Sequence, residues 1–285
     1  MSQRSFLMIN LKTERRQKLG KLFTGTRIDG CMLNAILDGH IGEAFTDAEN
    51  PTYGILELTE AKVAFIGGDF THPSVCQYLK QLSRFWMLFV TSDDFEETAQ
   101  RVHPHKWITL DRYPFSTENL SMAKMQQLKT QLPPGFQVKE IDVALANRLA
   151  EDKENEFASY HLMNFESPAD FVERGVGYCV CEGETIACVA SSFAVCRKGI
   201  EIQIDTRKDY RGRGLATIAA AYLIAYCLEN ELDPGWDAAT DISANLAKKL
   251  GYTPQPAYPM YLFTKSRALV MLRYVAQKIK KFLGK

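Results

Sequence analysis

Residues able to do chemistry gather in one stretch near position 200. Glu201, Gln203 and Asp205 alternate with Ile200, Ile202 and Ile204. That period of two marks a strand with one polar and one apolar face. The strand runs into Thr206-Arg207-Lys208-Asp209-Tyr210 and then Arg211-Gly212-Arg213-Gly214-Leu215-Ala216. An apolar, Ala-rich helix follows to about Leu228. Strand, glycine turn and helix together make an anion site: glycines admit a phosphate close to the backbone, N–H groups point outward, and the helix dipole favours negative charge. Arg211 and Arg213 add positive charge. Taken alone, a Gly-x-Gly turn is more often an ordinary connection between strand and helix. Other groups offer less. Gly67-Gly68-Asp69 lacks the spacing G-x-G-x-x-G and reads as a turn. His103-Pro104-His105 reads as a loop, and Cys179-x-Cys181 has no partner cluster. No metal site is expected.

The elements that must position these residues come from an ordinary globular composition. The chain has 285 residues, a length of about two domains or one large one, and is 46% hydrophobic and 24% charged, enough apolar material for a sizeable core. Lys plus Arg is 34 and Asp plus Glu is 34, so the chain lacks the overall basic charge of a nucleic-acid-coating protein. Seven cysteines, mostly inside apolar runs, read as reduced buried thiols of a cytoplasmic protein. No signal peptide and no apolar run of membrane-spanning length is seen.

The first part alternates strand text (53–58, 62–66, 85–91, 107–110) with helix text (73–82 and from Asp93-Asp94 to Val102). A polar helix from Ser116 to Gln131 is broken by Leu132-Pro133-Pro134-Gly135, where the domain boundary is placed. Beyond it come a strand at 137–141, a long helix from Asp142 and a fresh helix start at Ser167-Pro168. A hairpin (177–181, 185–194) precedes the strand and turn described above. The expected fold class is α/β (α+β): residues 1–134 as an N-terminal α/β domain, and 135–285 as a mixed, mainly antiparallel sheet domain.

The pattern Arg211-x-x-Gly214-x-Ala216 after an amphipathic strand resembles the coenzyme A pyrophosphate loop of the GNAT N-acetyltransferases. The resemblance continues through Trp236-Asp237-Ala238 as the next strand. A helix from Ser243 then closes with Lys249-Leu250-Gly251-Tyr252. It covers roughly Phe136 to Phe263 and is nearest to a bacterial branch that includes zwittermicin-resistance acetyltransferases.

The resemblance implies that Arg211, Gly212, Arg213, Gly214, Leu215 and Ala216 offer N–H groups to the pyrophosphate. Thr217 adds a hydroxyl, and Ser243 belongs with the coenzyme-binding residues. Ile204, Asp205 and Thr206 would lie along the pantetheine arm and polarise the thioester carbonyl. Glu201, with Asp205 on the same face, would take the proton that an ammonium must lose before it can attack. The alternative for Glu201 is a solvent-facing strand carboxylate. The usual tyrosine acid falls on Ala247 and the usual asparagine at the helix entry on Thr240, so the general acid is unassigned. Tyr252, Tyr258 and Tyr261 are substitutes by chemistry only. His161, beside Tyr160, Asn164 and Phe165, reads as packing and capping, with a place by the acceptor as the alternative.

The implied function is an N-acetyltransferase that moves an acetyl group from acetyl-CoA to the amine of a small molecule within a ternary complex. Acetyl-CoA and that amine are the expected partners, with a homo-oligomer as a further option and neither nucleic acid nor membrane expected. A degenerate module that binds acyl-CoA as a ligand is one alternative. The other is an interaction protein using the basic C-terminal helix, where Lys278, Lys280 and Lys281 flank a stripe of Leu272, Val275, Ile279 and Phe282. That helix is expected to pack on its own chain or on a second subunit.

Overall fold

The computed structural model describes residues 8–47, 50–152 and 160–272. The expected C-terminal helix therefore falls largely outside the described residues, as does most of the charged run 151–156. The chain divides into two compact units. The first comprises 1–29, 36–111 and 258–285; the second comprises 30–35 and 112–257.

In the first unit, strands β1 (Ile9–Asn10), β2 (Glu43–Thr46), β3 (Tyr53–Leu58) and β4 (Val63–Gly68) pair antiparallel in sequence order. Helix α2 (Pro73–Gln81), the second after α1 (Cys31–Leu37), then carries the chain to β5 (Trp86–Val90), which is parallel to β4. Every residue of β3 is buried. Its one carboxylate, Glu57, accepts hydrogen bonds from Tyr78 Oη at 2.7 Å and Thr59 Oγ1 at 2.9 Å. Helix α3 (Phe95–Val102) follows, with Glu96 and Glu97 in the first turn, where acidic groups suit the helix dipole. Arg16, in a 3-10 segment (Thr13–Leu22), buries its guanidinium among the carbonyls of Leu11, Ile36, Ile41 and Gly42.

The second unit holds β7 (Phe136–Glu140), β8 (Gly177–Glu182), β9 (Thr185–Cys196) and β10 (Gly199–Thr206), paired antiparallel in that order. Helices α4 (Met122–Lys129), α5 (Val143–Glu151) and α6 (Pro168–Arg174) belong to it. A long helix, α7 (Leu215–Glu229), leads to β11 (Asp233–Ala238), parallel to the start of β10. α7 is apolar on nearly all sides. It is covered by the sheet residues Val180, Ala190 and Ile200 and by Met125 and Leu128 of α4. The opposite sheet face packs Cys179 and Val189 against Leu145, Leu149 and Phe171 of α5 and α6. Helix α8 (Asp241–Leu250), β12 (Thr253–Pro254) and β13 (Tyr258–Phe263) end the series.

The mixed α/β expectation holds, but the division differs from a boundary at 134/135. Strand β6 (Trp107–Ser116) is longer than the 107–110 expected, and its residues 113–115 pair antiparallel with β11. Tyr113 and Phe115 pack into the α7 core with α4, which ties 112–134 to the second unit. The polar helix accordingly starts at Met122, capped by Ser121, rather than at Ser116. At the other end, β13 pairs antiparallel with β5 and belongs to the first unit.

Both units thus follow one order: an antiparallel hairpin, a parallel crossover through a helix, and a second helix. Each is then completed by a strand from the far half of the sequence. Among the described residues no helix is long and apolar enough to cross a membrane.

Candidate active site

Strands β10 and β11 pair only at Gly199–Asp233, Ile200–Pro234 and Glu201–Gly235. Beyond Gly235, β11 turns to β6 through Trp236, Asp237 and Ala238. On that edge, residues 202–206 of β10 have no ladder partner among the described residues, so the backbone groups that face it, apart from the Thr206 carbonyl held by Arg211, are open to another partner. A register shift against β9 between Glu201 and Ile202 falls at the same point, and an irregularity of this kind increases local twist. Glu201 therefore stands at the fork where the two strands part.

The glycine turn follows directly from that open edge. Gly212 and Gly214 adopt φ of +79° and +81°, the left-handed region that favours glycine, and a Cβ built on either would meet no atom within 4 Å. Gly214 is the N-cap of α7, with no side-chain cap. Its carbonyl accepts from Thr217 N at 3.0 Å and Ile218 N at 3.3 Å, so Leu215 and Ala216 are the first-turn donors left without intrahelical acceptors. Arg211 Nε donates to the Thr206 carbonyl at 3.1 Å, and Arg213 Nη2 to the Asp209 carbonyl at 3.3 Å. Both charges are held at the helix entrance. The Leu215 side chain is buried in the core, so that residue offers only its N–H, and Thr217 is buried in the first turn.

The polar face of β10 carries two carboxylates in different surroundings. Glu201 is buried, and its carboxyl is pushed up to about 8, first by burial and then by the negative charge of Asp237, with Arg112 opposing. Arg112 pairs with Asp237, Nε to Oδ2 at 3.2 Å, and also donates to the Asp237 carbonyl at 2.6 Å. A Cβ at Gly235 would lie 3.0 Å from the Ile200 carbonyl, a tight contact, and 3.4 Å from Glu201 Oε2, an ordinary one. Asp205 is more exposed. Its Oδ2 lies 3.5 Å from His161 Nε2 and accepts from Gln203 Nε2 at 3.4 Å. Nearby, Cys31 Sγ donates to the Gly199 carbonyl at 3.4 Å, and its thiol is raised by Cys196 and by burial, so it stays protonated.

The sequence model of the GNAT acetyltransferase family matches residues 20–261. The chain belongs to that family. It is 27% identical over 237 residues to the uncharacterized N-acetyltransferase YdfB of Bacillus subtilis strain 168, covering 80% of this chain and 88% of that one. It also resembles the crystal structure of a GCN5-related N-acetyltransferase-like protein from Streptococcus suis 89/1591. That likeness has a TM-score of 0.77 and 27% identity, over 88% of this chain and 98% of the other. A tandem GNAT protein from the clavulanic acid biosynthesis pathway shares the fold, with a TM-score of 0.58 at 12% identity over 91% of this chain and 98% of that one. The match takes in most of the first unit, which a resemblance limited to 136–263 leaves out.

In this GNAT chain, the residues expected at the coenzyme loop and the strand lie along one edge, but the helix residues do not all join them. Ser243 Oγ accepts from the Trp236 indole at 3.2 Å, and its N–H donates to Thr240 Oγ1, so the half-buried hydroxyl is engaged within the second unit. Thr240 caps α8. Ala247 is fully buried and offers no proton. Tyr252 Oη donates to the Pro234 carbonyl at 2.7 Å, and burial raises its hydroxyl well above the usual range. Tyr258 and Tyr261 belong to the first unit. His103 faces the Leu79 carbonyl at 2.9 Å, and no group of three metal-ligating side chains occurs among the described residues. Sequence reasoning missed Arg112 and the Ser191 support of His161. Nothing in their local text marks them, because both act across strands distant in sequence.

Proposed function

We propose that the protein transfers an acetyl group from acetyl-CoA to the amine of a small molecule, directly, with both substrates bound together. One observation carries the reading: the open edge of β10 at 202–206 leads, through one 3-10 turn (Lys208–Tyr210) and the glycine turn, into the uncapped start of α7. An extended thioester arm fits the first, and a pyrophosphate fits the second. The thioester supplies the activated acetyl carbon.

Residues 202–206 offer backbone groups to the arm, with Ile204, Asp205 and Thr206 nearest the turn. Residues 212–216 offer N–H groups to the pyrophosphate, with Arg211 and Arg213 adding charge; the Arg211 N–H itself is taken by the Lys208 carbonyl. Thr217 stands in the first turn of α7 beside this surface, and Ser243, engaged by Trp236, is left out of it. Glu201 takes a proton from the ammonium, which frees the nitrogen lone pair. A carboxyl near 8 suits that task, since a base works best when its pKa lies near the working pH. The N–C bond forms and the C–S bond breaks. The nitrogen loses a second proton as the leaving thiolate gains one, and among the described residues no side chain of the second unit stands out as its donor. The nearer resemblance, to the zwittermicin-resistance branch, rests on Trp236-Asp237 and residues 246–252 alone.

Titration of acetyl-CoA by calorimetry, with thiol release followed across a panel of amines, tests the proposal. Binding with amine-dependent thiol release is expected. Binding without release on any amine would mean that the chain holds acyl-CoA as a ligand.

A further inference from the structure

Where β11 leaves β10, side chains take the place of the lost ladder around Asp237. Its N–H donates to the Glu201 carboxyl, and its carbonyl accepts from Arg112 Nη2 at 2.6 Å. Arg112 grips the same residue a second time, with Nε on Asp237 Oδ2 at 3.2 Å. One guanidinium on β6 thus holds both the carbonyl and the carboxylate of the residue whose N–H holds Glu201. Both side chains of the pair are largely buried, Arg112 12% exposed and Asp237 18%. A pair so placed is screened by salt much less than a surface pair.

A tie between strands would not need this clamp. β6 and β11 are already joined through Trp236–Phe115, Asp237–Pro114 and Ala238–Tyr113. What the clamp adds is a fixed orientation of Asp237 and a positive charge beside a buried carboxyl. The other groups that face Glu201 are two thiols, Cys196 on β9 and Cys31 on α1, and the phenol of Tyr252 after α8. The Cys31 thiol is raised by its bond to Cys196 and by burial, and burial raises the Tyr252 hydroxyl. Asp237 and Arg112 are the two formal charges, of opposite sign, and only Arg112 favours the ionised carboxylate.

We propose that Arg112 is a positioning residue for the transfer, which acts through its two bonds to Asp237 to hold the Glu201 carboxyl at the fork and supplies the countercharge to it. Without Arg112, Glu201 stands beside a lone carboxylate and keeps its own proton to higher pH, so less of the protein is ready to take one from an ammonium. Arg112 makes and breaks no bond in the reaction. This inference rests on the reading of Glu201 as the base.

Titration of the full chain by NMR, with ¹³C at the glutamate δ-carbons, tests it without any ligand. The resonance absent from Glu201→Gln belongs to Glu201, and in the wild type its midpoint should fall at about 8. Arg112→Met should move that midpoint up by about one pH unit, the effect of removing a nearby opposite charge. Asp237→Asn should move it down, and Arg112→Lys, which keeps the charge, should leave it closer to the wild type than Arg112→Met does. With whichever amine of the panel above turns over fastest, the pH at which kcat/KM levels off should follow the NMR midpoint in each variant. Coenzyme A affinity should not change.

A merely structural pair would lower the unfolding midpoint in urea and leave the Glu201 titration where it is. An unmoved or lowered titration midpoint in folded Arg112→Met overturns the proposal. If that variant does not fold, Arg112→Gln and Asp237→Asn decide in its place, and an unmoved midpoint in both overturns it. A midpoint that moves while the kcat/KM profile stays put removes Glu201 as the base, and with it the role of Arg112 in the transfer. If no amine turns over, the proposed function fails, and the transfer role of Arg112 with it.

Discussion

Glu201→Gln separates the chemistry of the fork from its packing. The wild-type carboxyl stands at about 8 against an ordinary value of 4.5. Between those values the unfolded chain has released this proton while the native chain still holds it. The native state binds more protons there, so stability falls as pH rises, by up to about 1.4 kcal/mol per pH unit. Below 4.5 both states are protonated and the group contributes nothing to the pH dependence. Above 8 the loss is complete, at most about 5 kcal/mol. Glutamine has nearly the same shape and cannot ionise. Urea unfolding should therefore find the two proteins similar at pH 5 and the variant more stable at pH 9, by up to that amount. Activity should move the opposite way. In the wild type, kcat/KM should rise through pH 8, whereas the variant should lose about 10²-fold or more and that pH dependence. Parallel stability curves for the two proteins from pH 5 to pH 9 would refute the buried, raised carboxyl.

Other substitutions probe the remaining parts. Gly214→Val places a branched side chain at φ of +81° and should abolish coenzyme A binding in calorimetry; retained affinity in a folded variant would remove the pyrophosphate assignment. Arg211→Gln should weaken coenzyme A about tenfold, with the effect shrinking at high salt. Thr240→Ala should cost about 1 kcal/mol in urea unfolding as a lost helix cap, with coenzyme affinity unchanged; a large loss of affinity would return Thr240 to the site. Arg16→Met strands buried carbonyls of Leu11, Ile36, Ile41 and Gly42 and should cost about 3 kcal/mol or more, while a change near zero would show those carbonyls reach water.

The sequence by itself determined the local parts of this protein. Alternation at 200–205 specifies a two-faced strand, Gly212 and Gly214 specify a left-handed turn, and the Ala-rich run specifies the helix that follows. Each signal depends on residues a few positions apart, and the structure contains each element within a residue or two of its expected bounds. Tertiary structure alone decided what lies across the chain. Strand text does not name a partner, so nothing in 107–116 or 258–263 tells that β6 joins β11 and β13 joins β5. For the same reason the boundary at 134/135, drawn from a Pro-Gly break, missed the division. The charge on Glu201 is another case: its carboxyl is raised by burial and by Asp237, and partly offset by Arg112, groups brought together only by folding. So is the line from Ser191 through His161 to Asp205. Turn and strand preferences are short-range along the chain, whereas pairing, desolvation and electrostatics are short-range only in space.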